Sequence, residues 1–156
     1  MAEDSVKKPE DEAKKEREKK AVESRLAQSP VVSKGSVKTA QGDKLGYLAT
    51  CEYMPVVKHA FGNERGEPEA AILTTGYELE GASAATRPVC FAFNGGPGSS
   101  SVWLHMGVLG PRRVVLTDDG ELPPPPFKLN DNQYSVLDET DLVFIEFQLK
   151  EPVSIE

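Results

Sequence analysis

Aromatic residues are scarce at the start of this chain, and its apolar runs are short. No Phe, Trp or Tyr precedes Tyr47, so the first part of the sequence has little material for a core. No apolar run approaches the length that spans a bilayer. Charges occupy the N-terminus where a secretory signal needs an apolar segment. We therefore expect a cytoplasmic protein that does not bind membranes.

Cysteine and histidine are also few. Cys51 and Cys90 are too few for a disulfide framework, and Cys90 lies in an apolar run where a small buried thiol is typical. His59 and His105 do not have metal-ligand spacing with either cysteine. The sequence predicts no metal site and no cofactor.

Charge is abundant at the N-terminus but cancels there. The segment 3–25 holds eight acidic and eight basic residues, so the formal net charge of −7 belongs to the residues that follow. A negative remainder argues against a nucleic-acid partner. Pairs such as Glu16–Lys20 favour a solvated helix, and the lack of an apolar stripe excludes a coiled coil. Residues 1–35 are predicted to be a charged tail, disordered or partly helical.

The remaining sequence predicts mostly strands. Segments 36–39 and 45–53 flank Gln41-Gly42-Asp43, which is typical of a hairpin. Segments 70–75 and 77–79 predict a strand with a bulge at Gly76. Short strands are also predicted at 113–116 and 142–147, and the apolar run 88–93 predicts a buried strand.

One stretch carries readable chemistry. Asn94-Gly95-Gly96-Pro97-Gly98-Ser99-Ser100-Ser101 follows the predicted strand 88–93 and precedes a predicted helix. Glycines between a strand and a helix permit a sharp turn and leave backbone N–H groups free to face a ligand. Such donors stabilise an anion. Asn-Gly after a strand is also a hairpin signal, so an ordinary turn is the alternative.

The stretch FAFNGGPGSSSVWLHMGVLGPRRV (91–114) resembles the N-terminal signature of the serine carboxypeptidase family. In that family a strand ends in Asn-Gly-Gly-Pro-Gly, and Leu-Gly-Pro follows about one helix later. The flanking ATRPV (85–89), PPPFKL (124–129), NQYS (132–135) and TDLVFI (140–145) resemble its bacterial carboxypeptidase-like branch. The likeness covers about 37–145.

The resemblance implies an α/β fold, with 36–145 forming the N-terminal part of an α/β-hydrolase domain built mostly from strands of a mixed sheet. The backbone N–H of Gly96 would be an oxyanion-hole donor in peptide hydrolysis. Asn94, with Gly95 beside it, would bind the free C-terminal carboxylate of a peptide or protein substrate. The alternative for Asn94 is a residue that caps its own turn.

The chain departs from the family in several places. Ser99 stands where relatives commonly have Cys, and Val108 where many have Glu. No G-x-S-x-G nucleophile elbow occurs; the nearest match, 81–85, is predicted to be a surface loop. His105 lies four residues after Ser101, but no neighbouring carboxylate would orient it, so a catalytic dyad is not expected.

After Ile145 the family continues with Asp-Pro and a glycine turn, whereas 146–156 diverge. We therefore expect a fragment truncated before the elbow and inactive alone, with 142–147 as an unpaired apolar edge of the sheet. Two alternatives stay open. One is a non-catalytic module that binds peptide C-termini, and the other is a non-functional remnant.

Overall fold

The computed structural model describes residues 7–57, 66–95 and 99–146. Its elements in chain order are α1 (Lys7–Leu26), β1 (Val31–Lys38), β2 (Lys44–Val57), β3 (Pro68–Leu79), β4 (Val89–Ala92), α2 (Val102–Leu104) continued by a π-helical turn (His105–Leu109), β5 (Arg112–Val114), β6 (Leu129–Asp131), a 3₁₀ turn (Val136–Asp138) and β7 (Asp141–Glu146). The fold is mixed α/β, and most of its regular structure is strand.

Five strands form one sheet in the order β1-β2-β3-β7-β4. The first three pairs are antiparallel, and β4 runs parallel to β7. The strands β5 and β6 form a separate two-stranded ribbon. Because β7 inserts between β3 and β4, the last described strand lies inside the sheet.

The predicted hairpin around Gln41-Gly42-Asp43 is confirmed as the β1–β2 connection, where Gly42 takes a positive φ of 96°. The predicted bulge at Gly76 is wrong. The strand β3 runs through Gly76 in regular register with both neighbours, and the irregularity of the β2–β3 pair lies at Val56 and Val57 instead. The strand β6 was not predicted.

The expected unpaired edge at 142–147 is also wrong for its described part; Phe147 lies outside the described residues. The strand β7 has a strand on each side, and its Leu142 and Phe144 are fully buried in the core cluster. Among the described strands, β4 pairs only with β7. The edge strands of this sheet are therefore β1 and β4. The expectation that 88–93 forms a buried strand is wrong for β4, because Val89 is 48% and Phe91 61% exposed.

One face of the sheet carries the core. Its buried members are Val37, Tyr47, Tyr77, Ala92, Leu137, Leu142 and Phe144. Alternation along β7 places Leu142 and Phe144 on the same face, and Leu104, Leu109 and Val136 pack over the cluster. The ring of Tyr47 lies so close to Gly35 of β1 that an added Cβ would be 2.5 Å from it. A larger residue at position 35 would require the Tyr47 ring to move.

The helix α1 has 20 residues where the sequence predicts a disordered or partly helical tail. The expected Glu16–Lys20 pair is present at 3.4 Å, although both side chains are exposed and contribute little. Ala21 and Val22 line a small groove between α1 and β3. The strand β1 begins at Val31, inside the segment 1–35 assigned to the tail. Within the described ranges, no helix has the length and apolarity needed to cross a membrane.

Candidate functional site

The candidate site lies where β4 and β7 end side by side. These strands are parallel, with Ala92 opposite Phe144, so their carboxyl ends meet at one edge of the sheet. Ligands of open α/β sheets commonly bind at the carboxyl ends of parallel strands. The chain leaves β4 through Phe93, Asn94 and Gly95 and re-enters the described part at Ser99. The predicted oxyanion donor Gly96, with Pro97 and Gly98, lies outside the described residues.

Asn94 closes the loop through its side-chain amide. Its Nδ2 donates to Ser99 Oγ at 2.7 Å and to the Ser100 carbonyl at 3.3 Å. Its Oδ1 accepts the Gly95 N–H at 3.0 Å. Asn94 therefore caps its own turn, which is the alternative considered from the sequence. Its contact with a peptide carboxylate stays a prediction.

The hydroxyl of Ser99 is the polar group that this arrangement leaves available. Ser99 Oγ accepts a hydrogen bond from Asn94, and within residues 7–57, 66–95 and 99–146 no acceptor takes its own proton. Ser99 is partly exposed. A hydroxyl held by an amide donor can donate to an incoming anion.

Ser101 joins the ends of both strands. It is 1% exposed; its Oγ donates to the Ile145 carbonyl at 2.5 Å and accepts the Asn94 N–H at 3.1 Å. The hydroxyl thus fixes the loop to β7 while it satisfies two backbone groups. Ser101 acts as a structural bridge and is not available as a nucleophile.

Glu146, the last described residue of β7, holds the same loop from outside. Its Oε2 accepts the Ser101 N–H and the Ser100 hydroxyl, each at 3.0 Å. Ser100 Oγ also accepts the Val102 N–H at 3.2 Å, which satisfies a donor at the start of α2. In the sequence Glu146 falls in the divergent segment 146–156, so this role is not predicted. No local sequence pattern signals this role, because the contact depends on the pairing of β4 with β7.

His105 makes its side-chain hydrogen bond with Tyr77 and not with Ser101. The ring nitrogen Nε2 lies 2.6 Å from the Tyr77 hydroxyl, and the ring stacks on Phe144 with centroids 4.3 Å apart. Ser101 Oγ is engaged by Asn94 and Ile145, as described above. The structure therefore does not assemble a Ser101–His105 dyad, in agreement with the sequence-based expectation.

The helical segment that follows the loop is held at its C-terminal end by side-chain hydrogen bonds. The Asn132 amide donates to the carbonyls of Val108 and Gly110, each at 2.8 Å, and Ser135 Oγ donates to the Leu109 carbonyl at 2.8 Å. An added Cβ at Gly110 would lie 2.2 Å from the His105 carbonyl oxygen, so the tight π-helical end requires glycine. The Leu-Gly-Pro and NQYS motifs thus fix the helical segment that follows the loop.

No cluster of three metal-binding side chains occurs in the described part of the chain. Cys51 and Cys90 are both free thiols on strands that β3 and β7 separate. His59 lies outside the described residues. The loop 81–85 is an exposed turn, as predicted.

Neither a protein-family model nor a curated protein matches the chain, so comparison with known proteins assigns no role to the site. The case for a function therefore depends on the geometry at the ends of β4 and β7 and on the motif that connects them.

Proposed function

We propose that this chain forms the anion-binding side of an α/β-hydrolase of the serine carboxypeptidase type. In this proposal the loop 94–98 faces the C-terminal peptide bond of a substrate. The Ser99 hydroxyl donates its proton to the free carboxylate, and Asn94 and Gly95 bind it by exchanging the hydrogen bonds that they make within the loop. The Gly96 N–H stabilises the oxyanion of the tetrahedral intermediate.

One observation carries the proposal. Ser100 and Ser101, which follow the glycine loop, are held by three hydrogen bonds to Ile145 and Glu146 at the end of the neighbouring parallel strand. Anchoring the residues that follow the loop supports its preorganisation, which is what electrostatic stabilisation of a developing charge requires. An ordinary surface turn needs no such anchoring.

The reaction proposed for the whole site is acyl transfer to water. A serine attacks the last peptide bond, a histidine takes its proton and returns it to the leaving amine, and water then hydrolyses the acyl-enzyme. The proposal places this serine, histidine and acid outside the described residues, because Ser101 and His105 are committed to Ile145 and Tyr77.

Peptide-end recognition is tested with a peptide acid and its C-terminal amide. We expect the full chain to bind the acid more tightly, and Asn94→Ala to abolish the difference. Hydrogen bonds to charged groups are worth about 1.5–3 kcal/mol, so the preference should be about tenfold or more. Asn130→Ala, which removes an exposed amide on β6, is the control and should keep the preference. Equal binding of acid and amide by a folded sample would exclude the proposed role.

The same contacts favour a second candidate, a module that binds peptide C-termini without cleaving them. Ser101 Oγ is buried and bonded to two backbone groups, so it cannot attack a carbonyl as the chain stands. We expect the purified chain to show no hydrolysis of blocked dipeptides. Turnover that disappears in Ser101→Ala, while Ser83→Ala at an exposed position retains it, would contradict this expectation.

A further inference from the structure

Glu146 stands apart from the residues that the motif identifies, yet it makes two of the contacts that hold the loop. Its carboxylate accepts from Ser100 Oγ and from the Ser101 N–H, both at 3.0 Å. Hydrogen bonds to an ionised acceptor are stronger than those between neutral groups. Glu146 is partly buried at the end of a central strand, so the acceptor is presented from a rigid position.

Ser100 connects Glu146 to the proposed recognition residue. Its hydroxyl donates to Glu146, and its carbonyl accepts from Asn94 Nδ2 at 3.3 Å. Ser100 therefore lies between the Glu146 carboxylate and the Asn94 amide that is proposed to contact the ligand. A negative charge at this distance disfavours a second carboxylate in the loop.

We propose that Glu146 is a positioning residue that fixes Ser100 and Ser101 beside Asn94 and, through its charge, limits how tightly Asn94 binds a peptide carboxylate. This inference rests on the proposed function for its effect on binding. Its effect on the loop is independent of any ligand. The two effects separate in different substitutions, because glutamine keeps the oxygen acceptor without the charge and alanine removes both.

The experiment compares Glu146→Gln and Glu146→Ala in the full chain. Glu146→Gln should keep the slow hydrogen exchange of the Ser101 amide and should strengthen binding of the peptide acid about threefold or more, because the like charge is removed. Glu146→Ala should expose the Ser101 amide to faster exchange and should reduce the preference for acid over amide. Glu139→Gln, an exposed position in the turn before β7, removes the same charge elsewhere and should behave as the unmodified chain.

If Glu146→Ala fails to fold, Ser100→Ala provides the second test, since it deletes one of the two donors to Glu146. It should speed exchange at Ser101 and reduce acid binding in the same direction. Unmodified chain that binds acid and amide equally would defeat the proposed function, while the exchange data would still test the loop contact. A clear acid preference that neither Glu146 variant changes would overturn this inference alone.

Discussion

At the scale of single residues, His105 couples the core to the end of β7. Its ring packs between Tyr77 and Phe144, and burial lowers the pKa of His105 below 6.5, an effect that the nearby Glu146 carboxylate partly opposes. Burial also raises the pKa of Tyr77 to about 12. The phenol therefore keeps its proton at neutral pH, and its oxygen lies 2.6 Å from Nε2 of the neutral His105 ring, whose tautomer decides which group donates.

This arrangement predicts acid sensitivity. A histidine whose pKa is lower in the folded chain stabilises the fold above its unfolded pKa of 6.5, and this contribution is lost as the pH falls through the folded value. Denaturant unfolding measured between pH 8 and about pH 5 should therefore show a steeper loss of stability for the unmodified chain than for His105→Asn. His59 remains in both proteins and cancels in the comparison. If the unmodified chain and His105→Asn lose stability in parallel as the pH falls, protonation of His105 does not destabilise the fold.

At the scale of elements, the ion pair of Arg87 with Asp141 connects the ends of four elements. The Arg87 Nε donates to Asp141 Oδ1 at 2.7 Å, and its terminal nitrogens donate to the carbonyls of Leu137 and Asp138. Asp141 Oδ1 also accepts the Leu79 N–H at 3.1 Å. The start of β4, the 3₁₀ turn, β7 and the end of β3 thus share one ion pair, whose side chains are 11% and 12% exposed.

We expect Arg87→Ala to destabilise the chain by about 3–5 kcal/mol, because it leaves the Asp141 carboxylate buried without its partner. Chemical denaturation followed by circular dichroism measures the change. Arg113→Ala is the matched control, since Arg113 is exposed on β5 and should change stability by no more than about 0.5 kcal/mol. Similar losses in both variants would mean that the ion pair does not hold these elements together.

The local sequence pattern predicted where the strands occur better than it predicted which strands lie beside one another. Alternating residues and the Gln41-Gly42-Asp43 turn were sufficient to identify the β1–β2 hairpin, because that pairing is local. The strand β6 is only three residues long and follows a proline run, so it shows no alternation. The placement of β7 between β3 and β4 depends on contacts between distant segments, including Arg87–Asp141, that no local pattern encodes.

The candidate site shows the same division. The motif identified Asn94 and the glycines, since the backbone freedom of glycine is a property of the residue itself. The roles of Ser101 and Glu146 arise only when the ends of β4 and β7 are brought together. In the sequence Ser101 falls at a predicted helix start and Glu146 in the divergent segment 146–156. Their joint role depends on the parallel pairing of β4 with β7.

At the scale of the whole molecule, β7 is paired on both sides, whereas β4 is an edge strand of the sheet. The strand β4 pairs on one side among the described strands, and no charged residue interrupts its Val89–Ala92 sequence. Arg87, the nearest cation before it, is held by Asp141. Natural edge strands usually carry charges, prolines or bulges that prevent pairing with another chain. The edge of β4 lacks these protections along its length.

We therefore expect the chain to associate as its concentration rises, with Phe91 at the contact because its side chain is 61% exposed on the free strand. Phe91→Lys should shift sedimentation toward the monomer by placing a charge on the edge, and it should change the free energy of unfolding by only about 0.5 kcal/mol, as is usual for exposed positions. Phe127→Lys removes another exposed phenylalanine, 62% exposed in the loop before β6, and should leave association unchanged. Monomeric sedimentation of the unmodified chain at every concentration, or equal effects of the two lysine substitutions, would show that β4 is not the surface that drives association.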